Sequence, residues 1–227
     1  MPERDGDYHA REWHPAFEEY CEAIFELQED DIETIRSRIA ERLGVSRPAV
    51  TEMTRKLEEK NFVTVTAGRL MLTETGARLA ESVVRRHRLA ERFLTDVLGL
   101  SWAESHHEAG KWEHVISENV EAAMVRVLGD PTTCPHGNPI PGTDYQAPDA
   151  RPLSQVPIGS TFIVSRIPED LEWTPGVLEY LEEASLVPGG TATLMGLSPD
   201  GAATVEVDGK QVGLGAFQAD RILVSPA

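Results

Sequence analysis

The sequence predicts an α+β fold in three parts: an N-terminal winged helix-turn-helix, a central helical segment and a small C-terminal all-β barrel. Three observations carry that expectation. Apolar residues recur at helical spacing as far as Leu128. A helix that stops at Gly44 is followed at once by one that Ser46 can cap. Beyond a proline-rich stretch the pattern changes to short alternating runs separated by Gly and Pro. The boundaries read as residues 1–78, 79–148 and 149–227.

From His14 to Leu27, Phe17, Tyr20, Ile24 and Leu27 fall on one face of a helix. Glu19 and Glu22, three apart, read either as solubilising carboxylates or as ligands. A second helix runs through Ile35, Ile39 and Leu43. A third begins at Ser46 with Arg47 and Pro48 in its first turn, and turns Val50, Met53 and Leu57 inward. Two helices around a tight Gly-containing turn make a helix-turn-helix. Two β-prone runs follow, Phe62 to Thr66 and Leu70 to Leu72, and Ala67-Gly68-Arg69 between them makes a hairpin wing.

In the DNA-binding form of this motif the second helix enters the major groove and its first side chains reach base edges. Those positions are Ser46, Arg47, Pro48, Ala49, Thr51 and Glu52, with Arg55, Lys56 and Arg69 placed for phosphates and Arg36 a further DNA-binding candidate. From Arg36 to Lys60 seven basic residues face four acidic ones, whereas from Asp149 onward four face eleven. The net charge of −17 therefore excludes a generally basic surface but leaves a local one. The competing use of a winged helix is protein contact.

From Thr75 a long helix runs through LAESVVRRHRLAERFLTDVL without a breaker. On it His87 and Glu91, four apart, project from one face, and His106, His107, Glu108, Glu113 and His114 follow on the next helix. Imidazole and carboxylate together suit a first-row divalent ion; the alternative is a solvated polar face. HHEAG is not a hydrolase zinc motif, because HExxH needs a second His where Lys111 stands. A helix from Ser117 to Leu128 carries Val120, Ala123, Met124, Val127 and Leu128, more than one packing face needs, so it predicts a homodimer surface.

Residues 129–153 are rich in proline, lack periodicity and read as a linker, ordered at its start by turns and loose at its end. The barrel strands are expected at Thr161–Arg166, Thr191–Met195, Ala203–Val207, Lys210–Leu214 and Arg221–Val224, interrupted by one helix at Gly176–Ala184. Neither an apolar run long enough for a membrane span nor a secretory stretch is present, so a cytoplasmic location with no membrane partner is expected. Cys21 and Cys134 form no CxxC pair and indicate neither a disulfide framework nor a structural zinc site.

With the helix-turn-helix, HRLAERFLTDVLGL, KWEHVIS, CPHGNPIPG and a C-terminal β-module in this order, the chain resembles the diphtheria-toxin-repressor family of metal-dependent transcriptional regulators. The resemblance is closest to its longer iron- and manganese-responsive members. It implies a homodimeric repressor, not an enzyme, that Mn(II) or Fe(II) activates to bind a palindromic double-stranded operator and control metal-homeostasis genes. It also implies that the C-terminal module is SH3-like and that each subunit has two metal sites. The ancillary site matches His87, Glu91 and His106, with Glu169 and Glu172 from the IPEDLEW loop.

The primary site matches Glu113 and His114, but the Cys of the iron regulators falls on Gly110 and their first-helix Met on Glu19. Manganese-type members carry an acidic pair three apart, which Glu19 and Glu22 resemble; Glu108, Glu22, water or a carbonyl would fill the gap at Gly110. The family's anion-binding position maps to Arg88 and Asn138, although Arg88 also reads as a surface residue. In this picture the ion joins the first helix to the core and so favours the DNA-competent arrangement. The alternative is a metal-independent winged-helix transcription factor whose His/Glu cluster is structural.

Overall fold

The computed structural model describes residues 15–227. The first helix's expected start at His14 and the charged N-terminal stretch lie outside the described residues. The chain divides into two compact units, residues through Phe25 with Glu33–Ala80, and Glu26–Ile32 with Glu81–Ala227.

In the first unit, α1 (Pro15–Glu29) buries Tyr20 and Ile24, and its Phe17 ring stands 5.8 Å from Phe62. Of the pair read as solubilising carboxylates or as ligands, Glu22 is buried and Glu19 half-buried, and Glu18 beside them is buried as well. The helix-turn-helix follows as α2 (Arg36–Arg42) and α3 (Arg47–Glu59). Gly44 takes φ +63 at the end of the first, and Ser46 caps the second by accepting a hydrogen bond from the Ala49 N–H at 3.3 Å. Ile39, Val50, Leu57, Phe62 and Leu70 are fully buried, each contributing about 1.5–3 kcal/mol of transfer free energy. These side chains are what hold the two helices against the wing.

The wing pairs β1 (Val63–Thr66) with β2 (Arg69–Leu72) in antiparallel register. Its turn is the two residues Ala67 and Gly68, at φ 50 and 83, the left-handed pair that matches the twist of a tight hairpin. Arg69 therefore belongs to the strand and not to the turn.

The helix α4 (Glu74–Asp96) runs from the first unit into the second, as its unbroken periodicity predicts. Ser101 then starts α5 (Trp102–Trp112) with a capping box: its Oγ takes the Glu104 N–H while the Glu104 carboxylate takes the Ser101 N–H. Ser117 caps α6 (Glu118–Leu128), which ends on left-handed Gly129. Leu89, Ala90, Leu94, Ala109, Ile116, Met124 and Ile140 form the helical core, leaving Val120 and Val127 exposed.

The segment read as a linker is ordered over its first half. Thr133 and Pro139 form a β-bridge, and Cys134, His136, Asn138 and Ile140 are buried. Proline removes periodicity from such a segment, but hydrogen bonds and burial hold it in place.

The C-terminal module has β3 (Arg151–Pro152), β4 (Thr161–Arg166), α7 (Glu169–Glu172), α8 (Val177–Glu183), β5 (Thr191–Leu197), β6 (Ala203–Val207), β7 (Lys210–Leu214), α9 (Ala216–Arg221) and β8 (Leu223–Pro226). The antiparallel order is β3-β8-β4-β5-β6-β7. Two expectations are corrected: Arg221 ends a helix and not a strand, and IPEDLEW is a helical turn rather than a loop. Trp102 of α5 joins this module's core with Leu171, Leu178 and Leu194, so helices and sheet share one apolar interior. Among the described residues no helix is long and apolar enough to cross a membrane.

Candidate metal centre and nucleic-acid surface

Helical spacing sets the centre of the second unit. His87 and Glu91 lie one turn apart on α4, buried at 4% and 0% exposure, and α5 brings His106 to them. Glu169 and Glu172, three apart on α7, are buried on the module's side. Glu91 Oε1 lies 2.9 Å from His106 Nδ1, 3.2 Å from His87 Nε2 and 3.5 Å from His136 Nδ1. Glu172 Oε2 lies 2.8 Å from His136 Nδ1 and 3.2 Å from His106 Nδ1. Glu91 Oε2 is buried without a hydrogen-bond partner.

Donors around one first-row ion bond at about 2.0–2.2 Å, so neighbouring donors lie roughly 3 Å apart. The observed spacings match that edge length. The buried Glu91 Oε2 without a hydrogen bond points the same way, since such an atom is costly unless a cation or proton meets it. The residues therefore fit a divalent ion. The triads His87–Glu91–His106, Glu91–Cys134–His136 and His106–Glu169–Glu172 each gather their ligand atoms within 4.8 Å.

In the metal-free chain, protons take the cation's part. Burial opposes charge on His106, but Glu172 and Glu91 override it and raise its pKa to about 9. Burial likewise opposes charge on His87 and His136. Glu91 and Glu113 hold His87 well above the ordinary imidazole value, and Glu172 with Glu91 does the same for His136. Burial would raise the Glu91 carboxyl, yet His136 and His87 hold it well below the usual range. Burial, then Glu91, pushes the Cys134 thiol up to about 11.

In the first unit Ser46, Arg47, Pro48, Ala49, Thr51 and Glu52 are all exposed along the start of α3, and Arg36 lies half-buried beside them. Arg36, Arg47, Thr51 and Arg55 line one groove. Three of the expected phosphate contacts are already paired: Arg55 with Glu59 at 2.5 Å, Lys56 with Glu52 at 2.9 Å, and Arg69 with Glu33. Exposed pairs of this kind are weak and exchange readily for phosphate.

Three family models match successive segments of the chain. They are the iron dependent repressor N-terminal DNA binding domain over residues 14–69, the iron dependent repressor metal binding and dimerisation domain over 73–142, and the FeoA domain over 151–226. The iron-dependent repressor IdeR of Mycobacterium tuberculosis is 40% identical over 206 residues, spanning 86% of this chain and 89% of that protein. The chain belongs to the diphtheria-toxin-repressor family of metal-dependent regulators.

Within that family, the diphtheria toxin repressor of Corynebacterium diphtheriae is 48% identical over 128 residues, 56% of this chain and 57% of that one. The solved structure of a manganese-dependent transcriptional repressor in complex with manganese superimposes with a TM-score of 0.83 at 35% identity, covering 93% of this chain and 100% of that chain. ScaR with bound Zn2+ gives 0.74 at 31% identity, covering 93% and 99%.

Other site residues expected of a family member are placed unevenly. Glu113 and His114 stand at the end of α5, their side chains 3.2 Å apart, and Glu113 Oε2 meets His87 Nδ1 at 2.5 Å. His87 thus turns one nitrogen to each set of ligands. Glu19 and Glu22 lie on the part of α1 that belongs to the first unit, half-buried and buried. Glu108 is not brought to either set: it pairs with Lys111 at 2.7 Å on the outer side of α5. At Gly110 an added Cβ would meet nothing within 4 Å, so space and not crowding accompanies the missing side chain.

The expected anion position is filled by protein carboxylates. Arg88 is fully buried, correcting its reading as a surface residue, and binds Glu29 at 2.6 Å and Glu169 at 3.0 Å. Asn138 donates to Ile167 O at 2.9 Å and to Glu172 Oε1 at 2.5 Å. Two donors were missed in the sequence, Cys134 and His136. The sequence carries one local signal for them, a Cys-x-His pair beside a Gly, inside a proline-rich stretch without periodicity.

Proposed function

We propose that this chain is a DNA-binding transcriptional repressor activated by Mn(II) or Fe(II), acting as a homodimer on a palindromic operator of metal-homeostasis genes. The observation that carries the reading is the largely buried set of His87, Glu91, His106, His136 and Glu172 donors, 2.8–3.5 Å apart, all but Glu172 inside the segment that matches a metal binding and dimerisation model. The family models for the N-terminal and central segments support the DNA and dimer halves of the proposal. Exposed Val120 and Val127 on α6 suit the partner face.

Two metal positions per subunit are proposed. One takes its ligands from His87, Glu91, His106, Glu169 and Glu172, joined by Cys134 and His136. The other takes Glu113 and His114, with Glu19 and Glu22 of α1 as the acidic pair. When bound, the ion supplies positive charge that replaces the histidine protons and fixes the carboxylates. Imidazole and carboxylate donors suit Mn(II) and Fe(II), with Cys134 the one softer ligand. Glu113 accepts the His87 Nδ1–H, which leaves the His87 Nε2 lone pair for the Glu91 side and fixes the ring's direction. Arg47, Thr51 and their neighbours read the groove, and Arg55, Lys56 and Arg69 neutralise phosphate.

The test is fluorescence anisotropy of labelled duplexes with metal-stripped and Mn(II)-loaded protein. Tight binding only in the loaded form is expected. Equal affinity in both forms would favour the metal-independent alternative.

A further inference from the structure

The proposed ion-binding cluster does not end at its ligands. Glu172 turns its two oxygens to different tasks. Oε2 faces the imidazoles of His106 and His136, while Oε1 accepts from Asn138 Nδ2 at 2.5 Å. The Asn138 amide can stand only one way round. Its NH2 group has two acceptors, Ile167 O and Glu172, and its Oδ1 accepts from Arg166 Nε. Arg166 then uses Nη2 to hold Glu29 at 2.9 Å and Asp30 at 2.6 Å.

A second arm reaches the same place. Arg88 joins Glu169 Oε1 at 3.0 Å to Glu29, whose two oxygens it takes at 3.0 and 2.6 Å. Both cluster carboxylates on α7 are thus tied to the last turn of α1, Glu169 through Arg88 and Glu172 through Asn138 and Arg166.

We infer that Arg166 is a positioning residue that ties the last turn of α1 to the state of Glu172, so that filling the cluster stiffens residues 26–32. This rests on the metal reading above and gives it a route. A cation at the cluster would restrain the Glu172 carboxylate, and hence the amide and guanidinium that hang from its Oε1. Hydrogen bonds in such a chain polarise one another, and loss of any member leaves the rest partly satisfied in a dry interior. Glu29 and Asp30 are adjacent acids, with side chains only 16% and 2% exposed, so they need both arginines to stay together.

The test is hydrogen–deuterium exchange of the full chain, metal-free and with Mn(II), read at the amides of Asp30 and Ile32, which bond to Glu26 O and Leu27 O. In the wild type Mn(II) should slow their exchange by about tenfold or more. Arg166→Gln should still take up Mn(II) within about threefold of wild-type affinity but lose most of that slowing. Asn138→Ala, which removes the direct partner of Glu172, should lose the slowing as well while weakening Mn(II) uptake by about 10–100-fold, and the double variant should lose no more of the slowing than either alone. Arg166→Lys, which keeps the charge without the planar fork, should fall between.

Full metal-dependent slowing in Arg166→Gln would overturn the inference. So would loss of Mn(II) uptake together with slowing, which would make Arg166 a general support. Wild-type chain that takes up Mn(II) without slowing at residues 26–32 defeats this inference alone; wild-type chain that takes up none defeats the metal reading as well.

Discussion

Gly137 sits between His136 and Asn138, and replacing it with Ala disturbs both at once. It adopts φ +89, and a Cβ there would stand 2.3 Å from Ser165 O and 3.1 Å from the Arg166 Cα. A carbon–oxygen contact settles at about 3.3 Å, so one backbone must move by roughly 1 Å. The left-handed conformation costs about 1–2 kcal/mol with a side chain, and overpacking adds about 1–3, for a total of about 2–5. For a chain of this size that lowers Tm by about 4–20 °C.

If the turn swings off β4 to relieve the clash, the lost stability is smaller, but His136 leaves the cluster and Mn(II) affinity should fall by about 10–100-fold. Differential scanning calorimetry and isothermal titration with Mn(II) together cover both cases. A Gly137→Ala variant with wild-type Tm and wild-type Mn(II) affinity would show that the turn does not pack as described.

Metal uptake should release protons. His106, with a pKa near 9, is charged at neutral pH in the metal-free chain and gives up its proton to bind. Titrations in buffers of different ionisation enthalpy should show about one to three protons released per ion, and Mn(II) affinity should rise from pH 6 to about pH 9. A pH-independent affinity would mean the imidazoles are not ligands. The metal-free fold should show the opposite trend. Because the His106 pKa is raised on folding, its contribution is complete below about pH 6.5 and disappears as pH rises through about 9, which urea titrations can follow. Replacing both Arg55 and Lys56 with Gln should lower the slope of log affinity against log salt by about two while leaving sequence preference alone. A changed preference would assign them to base reading.

The parts of the fold most legible in the sequence were those with local causes. Gly44 and Ser46 mark the turn between α2 and α3 by their own backbone and side-chain chemistry, and the α4 periodicity is unbroken over 23 residues. His87, Glu91 and His106 were legible for the same reason, since one turn of helix places the first two on one face. What was not legible depends on partners far away in the chain. Cys134 and His136 lie in a segment whose prolines erase periodicity, and only packing against α4 and β4 turns it into a ligand-bearing loop. Glu108 is the converse case. It has the right chemistry and the right neighbourhood in sequence, but the rotation of α5 points it at Lys111. Arg88 looked like a surface residue because charge usually is; two carboxylates from elements far apart in sequence allow its burial.

Reciprocity gives the central claim its sharpest test. Mn(II) isotherms should be recorded for the full chain alone and with saturating duplex that the loaded protein selects. The two should differ by the same factor by which Mn(II) tightens DNA binding, with the DNA-bound chain holding the ion more firmly. Superimposable isotherms would mean that ion and DNA do not communicate through this protein.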